Sequence, residues 1–281
     1  MASNEQDNSP PPIPSSLFGY EVIDRIGEGA GAWVYAVNQP STGQLFALKH
    51  VVPKTDKDMR YVAQLENEFQ VARQFRNGLL RRAIDYKVNK SLFRRITEAA
   101  LVLELVDGVP LDKHAPMPLK STVDVFMQAA RALSAVHYLL YVHCDFKPNN
   151  IMVQPDGKVK LIDFGQCCRS NTIKERVQGT PDFISPEQVR LRPVTIRTDI
   201  YCYGASLYWA LTGRPVPTLF TVEKSDRDVV IRGRFPTPAE LNSEVPASLS
   251  ELVMECVRSD ALKRPQDMHV VVARLGDVKV P

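Results

Sequence analysis

The chain has 281 residues, with 35 Lys and Arg against 32 Asp and Glu and a formal net charge of +3. So even a balance gives no basis for a nucleic-acid groove or an anionic membrane surface, and 44% hydrophobic with 24% charged residues excludes a wholly disordered or fibrous chain. The length allows one large domain or two close-packed lobes, with roughly 75% of the unfolded surface buried.

In chain order, residues 1–16, MASNEQDNSPPPIPSS, read as a flexible leader: they lack both the basic patch and the apolar stretch of a secretory signal. Residues 20–51 are rich in β-branched and aromatic types and are broken at Gly27, Gly29, Gly31 and Gly43, which predicts three short antiparallel strands. Over residues 58–76 there is no Gly or Pro, and Val62, Leu65, Phe69, Ala72 and Phe75 recur at helical spacing, so one amphipathic helix is expected. Residues 100–106 read as a buried strand. VDGVP, with Gly108 and Pro110, then marks a chain reversal and the expected lobe boundary. Helices dominate from there. Residues 121–138 carry Val125, Ala129, Leu133 and Val136 on one face, and the stretches after Arg197, Ala247 and Gln266 are similar.

The most apolar segments, 101–106 and 201–211, are broken by charge or fall far short of the about 18–20 apolar residues that span a bilayer, so no membrane anchor is expected. The five cysteines are odd in number and thinly spread, with Cys167 and Cys168 adjacent. They do not make a secreted disulfide framework, and a reducing cytoplasm is the expected compartment. Cys144, Cys167 and Cys168 lie in segments expected to converge near the site described next; a regulatory thiol or a metal cluster is the alternative there to the expected role of small apolar filler.

Gly27, Gly29 and Gly31 lie between two strand-like segments, where glycine lets backbone amides approach phosphate oxygens. A dinucleotide fold would follow them with a helix, yet WVYAV looks like a strand, and no G-x-x-x-x-G-K-[ST] occurs. Phe46-Ala47-Leu48-Lys49 then puts a lysine in an apolar strand, where an unpaired ammonium is costly; Glu68 on the next helix is the natural partner. His143-Cys-Asp145-Phe-Lys147-Pro-Asn149-Asn150 precedes a short hairpin around Asp156-Gly157, and Asp163-Phe164-Gly165 follows it. One turn thus carries an acid, a cation and an amide, and a second acid lies after the hairpin. Asp145 can take a proton from a hydroxyl nucleophile, and Asn150 and Asp163 are hard oxygen ligands suited to Mg²⁺ on phosphates.

With these motifs in this order, residues 20–275 resemble the eukaryotic-type protein kinase family, and most closely its bacterial serine/threonine members. The resemblance implies an α+β bilobal fold, with a small antiparallel β-sheet lobe carrying one helix over residues 17–106. A larger, mainly α-helical lobe follows over residues 107–281, with ATP in the cleft; the catalytic domain would span about 17–278. It implies that Ile26, Gly27, Gly29, Gly31, Val34, Ala47, Leu103, Glu104, Val106, Met152 and Ile162 surround the nucleotide. Lys49 would hold its α- and β-phosphates and pair with Glu68. Asp145 would position or deprotonate the substrate hydroxyl, Lys147 would steady the γ-phosphate, and Asn150 and Asp163 would hold Mg²⁺ or Mn²⁺. The partners so implied are ATP and a signalling substrate protein with a Ser or Thr acceptor, with no nucleic acid and no membrane.

GTPDFISPEQ, residues 179–188, resembles the family's substrate-docking loop, with Glu187 expected to pair with Arg264, and Asp199 resembles the acid that braces the catalytic turn. Two departures stand out. Ala32 replaces the family's third loop glycine, which is tolerable if its φ is negative. Cys144 replaces the arginine that grips a phosphorylated activation segment in many members, so activity independent of phosphorylation at Ser170 or Thr172 is expected. A pseudokinase that only binds nucleotide or partners would lack one of Lys49, Asp145, Asn150 and Asp163. A small-molecule phosphotransferase would have no need of the docking loop.

Overall fold

In the computed structural model the residues described are 12–29, 31–114, 116–217, 219–223, 226–230 and 235–279, so most of the expected leader lies outside them. They divide into two compact units, Met1–Leu65 with Ala83–Leu105, and Glu66–Arg82 with Val106–Pro281.

The smaller unit is built on a period-2 pattern. Strands β1 (Ser16–Leu17), β2 (Tyr20–Gly29), β3 (Ala32–Gln39), β4 (Gln44–Val51), β5 (Ala83–Lys90) and β6 (Ile96–Glu104) form one antiparallel sheet in the order β1-β2-β3-β4-β6-β5. Tyr35 and Val37, Phe46 and Leu48, and Ala100 and Val102 join Leu17 and Tyr20 in one buried cluster. Because side chains alternate across the pleat, Val34, Ala36, Ala47, Lys49, Leu101 and Leu103 take the other face. Helix α1 (Met59–Ala72) follows a 3₁₀ turn, Asp56–Asp58, that opens on a capping box between Thr55 and Asp58. The helix stops four residues short of the expected end, and Phe75 is buried beyond it.

The larger unit contains β7 (Val109–Pro110), α2 (Leu119–Tyr138), β8 (Tyr141–Val142), β9 (Ile151–Val153), β10 (Val159–Leu161), β11 (Cys168–Arg169) and α3 (Pro186–Val189). Then come α4 (Ile196–Thr212), β12 (Leu219–Glu223), β13 (Asp226–Val230), α5 (Pro238–Leu241), α6 (Ala247–Cys256) and α7 (Met268–Gly276). Helix α4 is buried almost all round, the mark of a helix at the centre of a core, and packs on α2, α5 and α6. It starts at a Thr195 capping box and ends at Gly213 with φ +70°. The Tyr203 hydroxyl donates to the Phe126 carbonyl of α2 at 3.0 Å, so a buried phenol is satisfied.

Two elements escape the periodicity of the sequence. AIDYKVNK, which forms β5, is an edge strand with half its side chains polar, and its membership rests on the ladder to β6. The β12–β13 hairpin pairs Leu219 with Val230 through Glu223 with Asp226 and falls where no strand was expected.

Gly204 sits in α4 where a Cβ would lie 2.4 Å from Cys256 Cβ in α6. The space is closed by a helix rather than by a flexible tip, so Gly204→Ala is expected to lower unfolding stability by about 1–3 kcal/mol, measured by urea titration. An unchanged midpoint would show that α4 and α6 can separate freely.

Candidate active site

Within the smaller unit, the strand register collects the expected nucleotide residues on one face. Val34 of β3 is opposite both Gly27 of β2 and Lys49 of β4, Lys49 is opposite Leu101, and Ala47 is opposite Leu103 of β6. Lys49 thus stands among apolar residues on this face. Ile26 and Gly29 lie along β2, and Glu104 ends β6. Gly31 turns the chain into β3 with φ +71°, and a Cβ there would fall 2.4 Å from the Tyr61 ring. Ala32 is not among the residues with positive φ, so its methyl group is accommodated.

In the larger unit, Val106 leads to β7, Met152 lies on β9 opposite Lys160, and Ile162 follows β10, its N–H donating to the Asn150 carbonyl at 2.9 Å. The turn from His143 to Asn150 is hung on Asp199, a fully buried carboxylate of α4. Its Oδ2 accepts the His143 N–H at 2.7 Å and lies 2.8 Å from His137 Nε2; its Oδ1 accepts the Cys144 N–H at 2.9 Å. Such support holds Cys144 at a φ of +64°, a conformation that costs a non-glycine residue about 1–3 kcal/mol, and Asp163 likewise has a φ of +65°.

Asp145, Lys147 and Thr180 form a triangle. Lys147 Nζ lies 3.2 Å from Asp145 Oδ2 and donates to Thr180 Oγ1 at 2.8 Å, and the Thr180 hydroxyl donates to Asp145 Oδ1 at 2.9 Å. Burial, reinforced by the Asp163 charge, pushes the Asp145 carboxyl up from its ordinary range, against the pull of Lys147 and Thr180. Asn150 is tied down by its side-chain amide donating to the Asp145 carbonyl at 2.9 Å, which leaves Oδ1 as its ligand atom. With the Asp163 carboxylate this makes a hard oxygen pair of the kind that binds Mg²⁺ together with phosphates. His143 is buried, its ring 5.4 Å from that of Phe164.

The docking segment is anchored twice. Arg264 forms a bidentate pair with Glu187 at 2.7 and 2.9 Å, and it also donates to the carbonyls of Arg197, Arg258 and Ser259. Burial raises the Glu187 carboxyl, but the Arg264 hydrogen bonds and charge outweigh it and hold the group below its ordinary value.

The second anchor, Gln188, was not singled out in the sequence. Its Nε2 donates to the Cys144 carbonyl at 2.7 Å and the Gln178 carbonyl at 3.0 Å, and its Oε1 accepts from Ser185, so one buried amide joins docking segment and catalytic turn. Also unread were Arg81, whose Nη2 lies 3.2 Å from the buried Glu68, and Asn67, which donates to the carbonyls of Gly165 and Cys167. The one sequence clue to Asn67 is its adjacency on α1 to Glu68.

Comparison with known proteins agrees with this geometry. A family model described as protein kinase domain matches residues 20–274. A probable serine/threonine-protein kinase of Clostridium acetobutylicum is 29% identical, the alignment covering 92% of this chain and 40% of that protein. The serine/threonine-protein kinase PknA of Corynebacterium glutamicum is 26% identical over 91% of this chain and 55% of its own length. The kinase TIO of Arabidopsis thaliana is 32% identical over 70% of this chain and 15% of its own. The chain therefore spans about half or less of these relatives. No helix among the described residues is long and apolar enough to cross a membrane.

Two outcomes follow. Arg264→Met leaves Glu187 charged and half-enclosed and is expected to cost about 3–5 kcal/mol in thermal or urea unfolding. A folded pKa below the unfolded one stabilises above the ordinary carboxylate range and is lost as pH falls through the folded value, so the deficit of the variant shrinks in acid. Asp145 has the opposite sign: burial raises its pKa above that of the unfolded chain, so the folded state holds its ionised form less favourably than the unfolded state does. Asp145→Asn is therefore expected to leave Tm unchanged or higher at pH 7, and a clear drop in Tm would contradict the assignment.

Proposed function

The chain belongs to the protein kinase family, and on that premise we propose that it transfers the γ-phosphoryl group of ATP to a Ser or Thr hydroxyl of another protein. The observation that carries the reading is the Asp145, Lys147 and Thr180 triangle. It holds a carboxylate with a raised pKa, a proton acceptor, beside an ammonium, with a hydroxyl where an acceptor hydroxyl would bind.

In this reading the backbone at Gly27, Gly29 and Gly31 lies along the phosphates, with Ile26, Val34, Ala47, Leu103, Glu104, Val106, Met152 and Ile162 around the base and sugar. Lys49 holds the α- and β-phosphates, and Glu68 is required with it. Asp145 orients the substrate hydroxyl and takes its proton as the oxygen bonds to the γ-phosphorus and the bond to the ADP oxygen breaks. Lys147 offsets the charge of the transferring group. Asn150 Oδ1 and the Asp163 carboxylate would hold Mg²⁺ or Mn²⁺, which supplies neutralisation of phosphate charge when bound. Most of the catalysis is then positioning.

A protein acceptor is favoured over a small one by the anchoring of residues 179–188 through Glu187 and Gln188, since a small acceptor has no use for such a platform. The catalytic domain so defined runs from about residue 17 to 278, with lobes at 17–106 and 107–281, and works as a cytoplasmic signalling enzyme.

The reading includes activity without phosphorylation of the segment after β11. That segment is supported by backbone pairing: Asn171 N–H donates to the Val194 carbonyl at 2.7 Å and Val194 N–H to that of Thr172 at 2.9 Å. No arginine at position 144 waits for a phosphate.

Lys49→Met and Asp163→Asn are each expected to abolish transfer of labelled phosphate from Mg-ATP to a generic protein substrate while circular dichroism stays native. Turnover like that of the wild type in either variant would sink the assignment. The double variant Ser170→Ala with Thr172→Ala is expected to retain activity, and a loss on the order of a hundredfold would show that a phosphate is needed there.

A further inference from the structure

Cys144 and Cys168 are expected from the sequence to be apolar filler, and they do pack with Val142 and Val194 in one buried apolar cluster, but the structure adds a second relation between them. Their sulfurs lie 3.6 Å apart, one in the catalytic turn and one on the two-residue strand β11. A disulfide needs about 2.05 Å, so bonding requires the sulfurs to approach by roughly 1.5 Å. Strand β8, which ends two residues before Cys144, is already paired with β11, with Cys168 opposite Val142 and Arg169 opposite Tyr141.

The two sulfurs differ in how freely they can move and react. Cys144 is fully buried, its N–H held by Asp199 Oδ1 and its carbonyl by Gln188 Nε2. Cys168 is only half-buried, so a small oxidant can reach it. The hydrogen bond shared with Cys144 favours the Cys168 thiolate; burial opposes it and Lys174 adds its charge, and the balance brings Cys168 down to about 6 while Cys144 is pushed up. A thiolate with a protonated thiol in reach is the arrangement for attack followed by resolution. Cys167, Cys202 and Cys256 are buried, and burial drives each thiol up, away from the reactive form. A metal site offers no competing account, since no group of three or more His, Cys, Asp or Glu that could hold a metal ion occurs among the described residues.

We propose that Cys168 and Cys144 form a peroxide-responsive pair, in which oxidation of Cys168 is resolved by Cys144 into a reversible disulfide that ties β11 to the catalytic turn. In the first step the Cys168 thiolate attacks hydrogen peroxide: an S–O bond forms, the O–O bond breaks, sulfur is oxidised to sulfenic acid and hydroxide leaves. In the second, Cys144 loses its proton and attacks that sulfur, the S–S bond forms and the oxygen departs as water. Two electrons pass from the two sulfurs to one peroxide. A dithiol reductant restores both thiols. Cys144 directly precedes Asp145, and β11 begins five residues after Asp163, so the bond fastens the acid-bearing turn to the segment that leaves the second acid. The chemistry is independent of phosphotransfer, and so is its test.

The reduced full chain is exposed to a small molar excess of hydrogen peroxide, free thiols are blocked, and a non-reducing digest is mapped by mass spectrometry. Fragmentation between Cys167 and Cys168 assigns the sulfur involved. The expected product is a peptide linking Cys144 to Cys168, lighter by two hydrogens than its parts and absent after dithiothreitol. Cys168→Ser is expected to abolish it, and Cys144→Ser to leave a Cys168 sulfenic acid that dimedone traps. A bond between Cys167 and Cys168, dimedone labelling of wild-type Cys168 with no linked peptide, or five unmodified thiols would each overturn the proposal. Should Cys144→Ser fail to fold, the wild-type map and the Cys168→Ser chain still decide it.

Discussion

The larger unit depends on one carboxylate. Asp199 is fully buried, and its two oxygens accept from two consecutive backbone amides of the catalytic turn while His137 of α2 closes on the same group. A buried carboxylate costs several kcal/mol unless every lone pair is used, and here the donors are ones that the turn cannot satisfy internally. The same contact supports a left-handed backbone at Cys144, φ +64°. Because α4, which holds Asp199, is buried nearly all round, the turn is hung on a helix at the centre of the core.

Asp145 then inherits a fixed position and an unfavourable environment. It is largely buried, close to Asp163 in charge terms, and partly compensated by Lys147 and Thr180, so its carboxyl is poised higher than an exposed one. The combination costs stability and gives a group ready to receive a proton, the usual trade at functional sites. Gln188 and Arg264 extend the same logic outward. Each is buried, each uses nearly all of its polar atoms, and together they bind residues 178–188 to the catalytic turn and to α4. Position 144 is where these supports meet. Asp199 and Gln188 hold its backbone, and its side chain, a thiol rather than a guanidinium, faces a second thiol on β11.

The legible part of the site was the part written in contiguous residues. The glycines between β2 and β3, Lys49 in an apolar strand, the turn from His143 to Asn150, and Asp163-Phe164-Gly165 are local patterns whose chemistry follows from residue type and spacing. Strand and helix periodicity located β2 to β4, β6, α1, α2, α4, α6 and α7. It missed β5, whose alternating polar residues resemble a loop until β6 supplies the ladder, and it ran α1 four residues too far because Phe75 keeps the helical spacing after the helix has ended.

What the amino-acid sequence determined by itself was therefore a family and an ordered set of reactive groups. Motifs of this kind are short, and their meaning survives without coordinates. Only the tertiary structure decided the partners: Arg81 beside Glu68, Asn67 on the Gly165 and Cys167 carbonyls, Gln188 on the Cys144 carbonyl, and Cys168 against Cys144. The physical reason is separation along the chain. Gln188 and Cys144 are 44 residues apart and Asn67 and Cys167 are 100, so no periodicity connects them, and hydrogen bonds between them exist only after the fold has closed those loops. The even charge balance and middling composition reveal no chemistry. The chemistry lies in a few buried groups whose effect depends on where the chain crosses itself.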